Sequence, residues 1–269
     1  MTKLKLFLLL FFVPYICGAT DHKPWFGNDY EAEIRATVLY QNYDSYDRDA
    51  NDLFTTLSAA YPFRRYCGEF EMTAAHTHHQ NHRFDNFRIT GRYLWLDDTD
   101  SDPFSLVTGI TITEPLSRAL HDISSFHHGH IEGEVFLSFG KKYGYPCSTD
   151  YLFRWWNVLG VGVADESCAW FREDAAFEYN YDDVHLFRGF MNSSWGTGNH
   201  RLHPHDFKGY GNIQHRSIDL GIRYGYNSCW GTFSIQYARR VYAHNFPRDA
   251  NLVLFEYYLP FGNQSSITY

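Results

Sequence analysis

Apolar and polar residues alternate one by one along several stretches of this chain. A period of two is that of a β-strand, whose side chains point alternately to opposite faces. The stretch 251–261 places Val253, Phe255, Tyr257, Leu259 and Phe261 on one face. Its other face is mixed, with Glu256 between Leu254 and Tyr258. An apolar, aromatic face backed by a polar one is typical of a strand that meets lipid on one side.

Twelve stretches of this length follow one another, with turn residues between them. They are residues 31–43, 52–61, 66–78, 84–96, 104–113, 130–141, 151–164, 168–179, 184–194, 212–226, 230–243 and 251–261. Most have about the 9–11 residues that a tilted strand needs to cross a bilayer. The alternation is poor in 168–179 and 184–194. We therefore predict an all-β fold, a transmembrane antiparallel up-and-down β-barrel of about 12 strands.

The composition favours this barrel over other membrane and soluble folds. Aromatic residues make up 19% of the 269 residues, yet the mean hydropathy is only −0.42. A helical membrane protein would be far more apolar, whereas in a barrel only one face of each strand meets lipid. A soluble barrel with its apolar face inside would look the same locally. The number and length of the strands, with aromatic residues near their ends, favour lipid on the outside.

The N-terminus has the features of an export signal. Lys3 and Lys5 precede the apolar stretch 6–16, and Cys17, Gly18 and Ala19 form a small-residue cleavage site. This order is typical of a secretory signal peptide, and the apolar stretch is shorter than the about 20 residues that a spanning helix needs. A lipid anchor on Cys17 is the weaker alternative. We predict a signal peptide over 1–19 and a single outer-membrane barrel domain over 20–269.

An even number of strands places both termini of the chain on the same side of the membrane, which is the periplasmic side in bacterial outer-membrane barrels. The predicted outer loops are then 44–51, 79–83, 114–129, 165–167, 195–211 and 244–250. The predicted inner turns are 62–65, 97–103, 142–150, 180–183, 227–229 and 262 onward. The two longest connections fall on the outer side, as is usual for such barrels. Closure requires the last strand to pair with the first, which predicts Glu256 inside the barrel near Arg35.

Four short strings resemble an outer-membrane β-barrel family of chlamydia-like bacteria. They are 23–27 (KPWFG), 92–98 (RYLWLDD) followed by Asp102-Pro103, 209–211 (GYG) and 242–247 (YAHNFP). The resemblance covers most of the chain beyond the signal peptide, and it implies the location and architecture but no activity. Chlamydial envelopes contain disulfide-linked outer-membrane proteins, so the resemblance also implies that the cysteines could cross-link to other envelope proteins.

Charged residues of both signs lie on the predicted inward faces. The predicted lining residues are Glu33, Arg35, Glu71, Arg88, Arg92, Glu132, Glu134, Asp219, Arg223, Arg240 and Glu256. One interpretation is a charged pore lining. The other is a lattice of ion pairs that fills a narrow lumen. Twelve strands make a smaller barrel than the 16–18-stranded porins with aqueous channels.

Histidines and cysteines offer two further hypotheses. His76 and His78, and likewise His128 and His130, are spaced to share a strand face and are weak candidates for a metal site; a pH-sensitive mouth and plain surface positions are the alternatives. Cys67, Cys147, Cys168 and Cys229 are candidates for disulfides because exported cysteines usually oxidise. We predict no cofactor.

The function that these patterns favour is a porin-like narrow channel for small polar solutes. A structural or adhesive barrel is the alternative. A lipid hydrolase is weaker still: His215 and Ser217 have a His-x-Ser spacing, but alternation places them on the inward face, away from lipid. The expected partners are outer-membrane lipid and the barrel-assembly machinery, which recognises a C-terminal aromatic. That aromatic is either Phe261, followed by a periplasmic tail over 262–269, or Tyr269. The net charge of −8 argues against nucleic acid.

Overall fold

The computed structural model describes residues 21–45, 48–144, 151–165 and 167–261. Within them, twelve antiparallel strands form one closed barrel in sequential order. The strands are β1 Ala32–Ser45, β2 Arg48–Phe63, β3 Tyr66–His76, β4 Arg83–Leu96, β5 Ser105–Pro115, β6 Glu132–Gly144, β7 Tyr151–Ala164, β8 Trp170–Tyr181, β9 His185–Gly196, β10 Arg216–Ser228, β11 Gly231–His244 and β12 Arg248–Phe261. The predicted fold is confirmed. The predicted signal peptide over 1–19 and the residues after Phe261 lie outside the described residues.

The barrel closes through β1 and β12. The two strands are antiparallel, and their pairing begins with Ala32 opposite Phe261. Farther along, Thr37 pairs with Glu256 and Val38 pairs with Phe255. Each of the twelve described strands thus has a paired neighbour on both sides, which a bilayer requires because lipid cannot satisfy free backbone groups.

The outer face carries the apolar half of the alternation. Ile222 is 67% exposed and Ile89 is 61% exposed on the protein surface, as is expected of side chains that meet lipid. Aromatic rings gather at one end of this face, where Tyr93 contacts both Tyr66 and Trp95 at centroid distances of 4.9 and 4.7 Å. An apolar belt with an aromatic girdle is the exterior of a membrane-spanning barrel. No helix among the described residues is both long and apolar enough to cross a membrane.

The two ends of the barrel differ in their connections. At the end that we call the turn end, the connections are 64–65, 97–104, 145–150, 182–184 and 229–230. At the other, the loop end, they are 46–47, 77–82, 116–131, 165–169, 197–215 and 245–247. The two longest connections both lie at the loop end, as the sequence predicted.

The largest boundary differences are at the starts of β2 and β10: β2 was predicted to begin at 52 and begins at Arg48, and β10 was predicted to begin at 212 and begins at Arg216. Residues 212–215 belong instead to loop 197–215, which folds into the mouth of the barrel: Ile213 and His215 are buried there. Loop 116–131 folds inward beside it, with a short 3-10 helix at Ala119–His121. These two loops, together with the residues that precede β1, determine what remains open inside the barrel.

Candidate functional site

The candidate site is the interior of the barrel, and every predicted lining residue points into it. Glu33, Arg88, Glu134 and Arg223 are half-buried there, and Arg35, Glu71, Arg92, Glu132, Asp219, Arg240 and Glu256 are buried. The prediction that Glu256 lies near Arg35 is confirmed: Arg35 Nε is 3.7 Å from Glu256 Oε2.

Oppositely charged residues pair across neighbouring strands inside the barrel. Arg88 Nη1 lies 3.1 Å from Glu71 Oε1, and Arg240 Nε lies 2.9 Å from Asp219 Oδ1. Arg92 pairs with Glu69 in the same way. Removing one partner from such a pair would leave an uncompensated buried charge. Of the two interpretations of these charges, a simple pore lining and a lattice of ion pairs, the contacts therefore favour the lattice.

The residues before β1 enter this lattice from the turn end. We call residues 21–27 the inserted segment. The Asp21 carboxylate lies 2.6 Å from Arg188 Nη1. Arg172 Nη2 donates to His22 Nδ1 at 2.7 Å, and the His22 ring stacks on Phe136 at a centroid distance of 4.3 Å. The sequence alone had indicated no more than a polar lead-in here, and its insertion into the lumen was missed.

Trp25 anchors the inserted segment at the turn end. Its indole Nε1 donates to Asp98 Oδ1 at 2.8 Å, and its ring meets Trp156 edge to face at 6.0 Å. Gly140 makes this approach feasible, because a Cβ there would lie 2.9 Å from the Trp25 ring. Arg92 Nη1 also donates to the Lys23 carbonyl at 2.9 Å. The segment is thus held by side-chain and backbone contacts along its length.

Burial and charge act together on the titratable groups of the segment. Burial lowers the pKa of His22, and the neighbouring Arg172 lowers it further, so the imidazole is neutral. Burial alone would raise the pKa of Asp21, but Arg188 and Arg223 outweigh it and hold the pKa well below its usual range. Asp21 is therefore a carboxylate anion inside the lumen.

Two cavities lie along the barrel on either side of Asp21. One, of about 100 Å³, is bordered by Asp21, His22, Arg172 and Phe190. The other, of about 120 Å³, is bordered by Asp21, Lys23, Arg35 and Arg92 nearer the turn end. Each has room for several water molecules. The inserted segment separates them.

Aromatic rings close the loop end. Tyr210 is fully buried, and its ring lies 4.9 Å from each of Phe126, Phe207 and Phe246. Its hydroxyl donates to the Ile123 carbonyl at 3.0 Å, which ties loop 197–215 to loop 116–131. We call these residues the aromatic cluster. They are the central part of the buried apolar core at this end.

A buried ion pair fixes loop 116–131 to the wall. His127 Nε2 is 2.8 Å from Asp85 Oδ2, and His127 Nδ1 is 3.5 Å from Glu132 Oε1. Burial alone would lower the pKa of His127, but Asp85 and Glu132 raise it to about 10. His127 is therefore a cation at neutral pH. His215 differs: burial, with some effect from His128, lowers its pKa well below the ordinary value.

The structure separates the histidines that the sequence had grouped. The prediction that His128 and His130 share a strand face is wrong, because both precede Glu132, the first residue of β6. His128 is buried against Trp170, whereas His130 is exposed. His76 and His78 are both exposed at the loop end, and the His76 ring stacks on His82 at 4.1 Å. Among the described residues, no group of three or more His, Cys, Asp and Glu could hold a metal ion.

The cysteines that the structure describes are free thiols. Cys67 is buried inside the barrel beside Arg92, Cys168 lies at the loop end, and Cys229 is exposed in the turn 229–230. Cys147 lies outside the described residues. Of the described three, Cys229 is thus the best placed to react with another protein.

His215 and Ser217 both face the interior, as predicted, and both are buried. His215 Nε2 lies 3.4 Å from His128 Nε2, and the buried Ser217 hydroxyl has no hydrogen-bond partner among the described residues. Neither side chain reaches the lipid-facing surface.

Sequence reasoning missed Asp21, His22, Trp25, Arg188 and Glu178. For Arg188 the reason is the poor alternation of the ninth strand. For the inserted segment a signal existed: a tryptophan beside a proline in an otherwise polar stretch needs a place to bury its ring.

The closed wall, the apolar belt and the filled lumen define a transmembrane β-barrel of the outer-membrane type.

No family model matches the chain, and no curated protein matches it. Solved structures share its fold. An outer-membrane channel from Pseudomonas putida F1 aligns with a TM-score of 0.59 and 10% identity, over 87% of this chain and 100% of that one. The KdgM porin, solved in complex with disordered oligogalacturonate, aligns with a TM-score of 0.52 and 9% identity, over 84% of this chain and 98% of that one. The protein is an outer-membrane barrel, and these neighbours are a channel and a porin.

Proposed function

We propose that the protein is a porin-like narrow channel for small polar solutes, and that the structure is its closed form. The observation that carries the proposal is the way in which the lumen is closed. Both closures are made by pieces of chain that are not part of the wall: the inserted segment at the turn end, and loops 116–131 and 197–215 at the loop end. Such pieces can move while the strand pairing of the barrel stays intact.

The interior supports a solute of small size and polar character. The cavity of about 100 Å³ is bordered by charged and amide side chains such as Arg172, Asp174 and Asn192, together with apolar ones such as Leu39 and Phe190. A twelve-stranded barrel is narrower than the porins with 16–18 strands. The shared fold with a channel and a porin is consistent with this proposal.

Conductance of the refolded protein in a planar bilayer tests the proposal. We expect small, ohmic current steps with long closed periods between pH 5 and 8. Flat traces over this range, from protein shown to be folded by its heat-dependent mobility on a gel, would count against a channel.

A structural or adhesive barrel is the second candidate, and the exposed thiol of Cys229 favours it. In this view the barrel would be linked by disulfides to other envelope proteins, as its resemblance to barrels of chlamydia-like bacteria suggests. Non-reducing electrophoresis of native envelopes would show reductant-sensitive bands larger than the monomer. A monomer band that is unchanged by reductant would exclude this version.

We propose no enzymatic role. A lipid hydrolase must present its nucleophile to the bilayer, and His215 and Ser217 lie inside the barrel. If a lipase activity were found and abolished by Ser217→Ala, this part of the proposal would be wrong. The proposed partners remain outer-membrane lipid and, during biogenesis, the barrel-assembly machinery, with no nucleic acid.

A further inference from the structure

We propose that Arg35, Arg188 and Arg223 form a binding site for a small carboxylate anion, and that Asp21 occupies this site as a tethered competitor. The inference rests on the proposed channel function, because the solute must reach the middle of the lumen. It goes beyond that function by naming the chemistry that the middle of the lumen would select.

The position of the Asp21 carboxylate is the first argument. It lies 2.6 Å from Arg188 Nη1 and 3.7 Å from Arg223 Nη1. These guanidiniums extend from β9 and β10, which are neighbouring strands. Guanidinium groups recognise carboxylates through short, charge-assisted hydrogen bonds. Asp21 therefore shows how a carboxylate fits between these two strands.

The charge of the surrounding wall is the second argument. Glu256 is shared by Arg35 and Arg223. Glu178 is likewise shared: its Oε1 lies 2.5 Å from Arg154 Nη2, and its Oε2 lies 2.6 Å from Arg188 Nη2. In these pairs, two wall carboxylates serve four guanidiniums. Asp21 is a third carboxylate, and it comes from outside the wall.

The place of Asp21 along the lumen is the third argument. Its side chain borders both the 100 Å³ cavity and the 120 Å³ cavity. A small anion in either cavity is thus adjacent to the same arginines. When Asp21 leaves, Arg35, Arg154, Arg188 and Arg223 share the two carboxylates of Glu178 and Glu256. This cluster by itself then carries more positive than negative charge, which attracts an anion and repels a cation.

The exchange is a competition between two carboxylates for one site. Acetate that binds Arg188 and Arg223 displaces Asp21, and the inserted segment loses one of its anchors. The other anchors, His22 on Phe136 and Trp25 on Asp98, set how often the segment then leaves. Chloride at the same ionic strength offers the same charge but cannot form the paired hydrogen bonds of a carboxylate.

Hydrogen–deuterium exchange of the backbone amides within residues 22–26, those of His22, Lys23, Trp25 and Phe26, tests the competition without requiring ion conduction. The refolded protein is compared in sodium acetate and in sodium chloride of equal ionic strength. We expect the amides of this segment to exchange several-fold faster in acetate than in chloride. Inorganic phosphate is the second anion that is compared with chloride. Equal exchange in acetate and chloride would overturn the proposal.

Variants of the tethered carboxylate sharpen the test. Asp21→Asn removes the competitor, so the segment should exchange faster without added anion, and calorimetry should detect acetate binding about tenfold tighter than to the parent protein. Asp29→Asn, an exposed residue outside the lumen, is the matched control and should behave as the parent. A variant with Asp21→Asn that binds acetate no better than the parent would also overturn the proposal.

The outcomes for the site and for the channel are separable. Acetate binding in a protein that conducts no ions would retain the site and refute the channel. Ion conduction that shows no anion preference when Asp21→Asn is measured in a salt gradient would retain the channel and refute the site.

Discussion

The two ends of the lumen are closed by different kinds of interaction. At the turn end, the inserted segment is held largely by ion pairs and hydrogen bonds, such as Asp21 with Arg188 and Trp25 with Asp98. At the loop end, the aromatic cluster around Tyr210 buries apolar rings against one another. Charged contacts depend on exact partners and on competing ions, whereas apolar packing depends on shape. We therefore expect the turn end to respond to solutes and the loop end to respond to changes in packing and pH.

The largest effect that separates the two closures should follow Arg188→Met. The change leaves both Glu178 and Asp21 without their shared guanidinium, and breaking such a buried pair costs about 3–5 kcal/mol. Urea-induced unfolding in lipid vesicles measures the loss, and amide exchange shows whether it is concentrated at the turn end. Arg239→Met is the control, because its pair with Asp249 is exposed and contributes about 0–1 kcal/mol. Equal losses in the two variants would contradict the electrostatic account.

The next effect concerns Tyr210 at the loop end. Tyr210→Ala removes a fully buried ring, and truncation of a buried aromatic residue costs about 3 kcal/mol. We expect rapid proteolysis of loops 116–131 and 197–215, with no change in amide exchange of residues 22–26. Tyr210→Phe keeps the ring and loses only the hydrogen bond to Ile123, so its cost should be about 1 kcal/mol. If the alanine variant resisted protease as the parent does, the aromatic cluster would not be the closure.

The two closures were less visible in the sequence than the wall of the barrel. The wall was predictable, because alternation along strands such as β4 and β10 fixes which side chains face lipid and which face the lumen. Arg35 and Glu256 could even be placed together, since closure of the barrel forces β1 against β12. Alternation did not predict the aromatic cluster or the inserted segment, because both depend on irregular chain that no period describes; the only signal for the inserted segment was Trp25 beside Pro24. His128 and His130 illustrate this limit: strand alternation was applied to a loop.

A smaller effect should appear as a pH dependence of the loop end alone. The pKa of His127 is raised to about 10, so its contribution to closure is complete below the ordinary histidine pKa, about 6.5, and is lost as the pH rises towards 10. The pKa of His215 is lowered, so its contribution is complete above about 6.5 and is lost as the pH falls. Proteolysis of loops 116–131 and 197–215 should therefore be slowest near pH 6.5.

Two variants separate the increase in proteolysis above pH 6.5 from the increase below it. We call these increases the alkaline arm and the acid arm of the profile. His127→Gln should remove the alkaline arm, since glutamine can still hydrogen-bond but does not titrate. His215→Phe should remove the acid arm, because a phenyl ring can pack against Phe126, which the imidazole now stacks on at 5.1 Å. A parent protein with a flat profile from pH 5 to 9 would show that neither histidine controls the closure.

The smallest effect is that of salt. Raising sodium chloride from 0.1 to 1 M shortens the Debye length from about 10 to 3 Å, but buried pairs are screened much less than exposed ones. We expect amide exchange of residues 22–26 to increase by less than about threefold, and exchange around Tyr210 not to change. If salt increased amide exchange more at the loop end than at the turn end, the assignment of the charged contacts to the turn end would be contradicted.

The central claim is that the lumen is a channel closed at both ends by movable chain, and conductance of a doubly loosened barrel tests it most directly. Trp25→Ala and Tyr210→Ala combined remove one anchor from each closure, and Trp230→Ala, at a tryptophan that is 76% exposed, is the control. In planar bilayers at neutral pH, the double variant should show sustained ohmic current, whereas the parent and Trp230→Ala should stay mostly closed. Flat traces from a double variant that is folded by gel mobility would contradict the account.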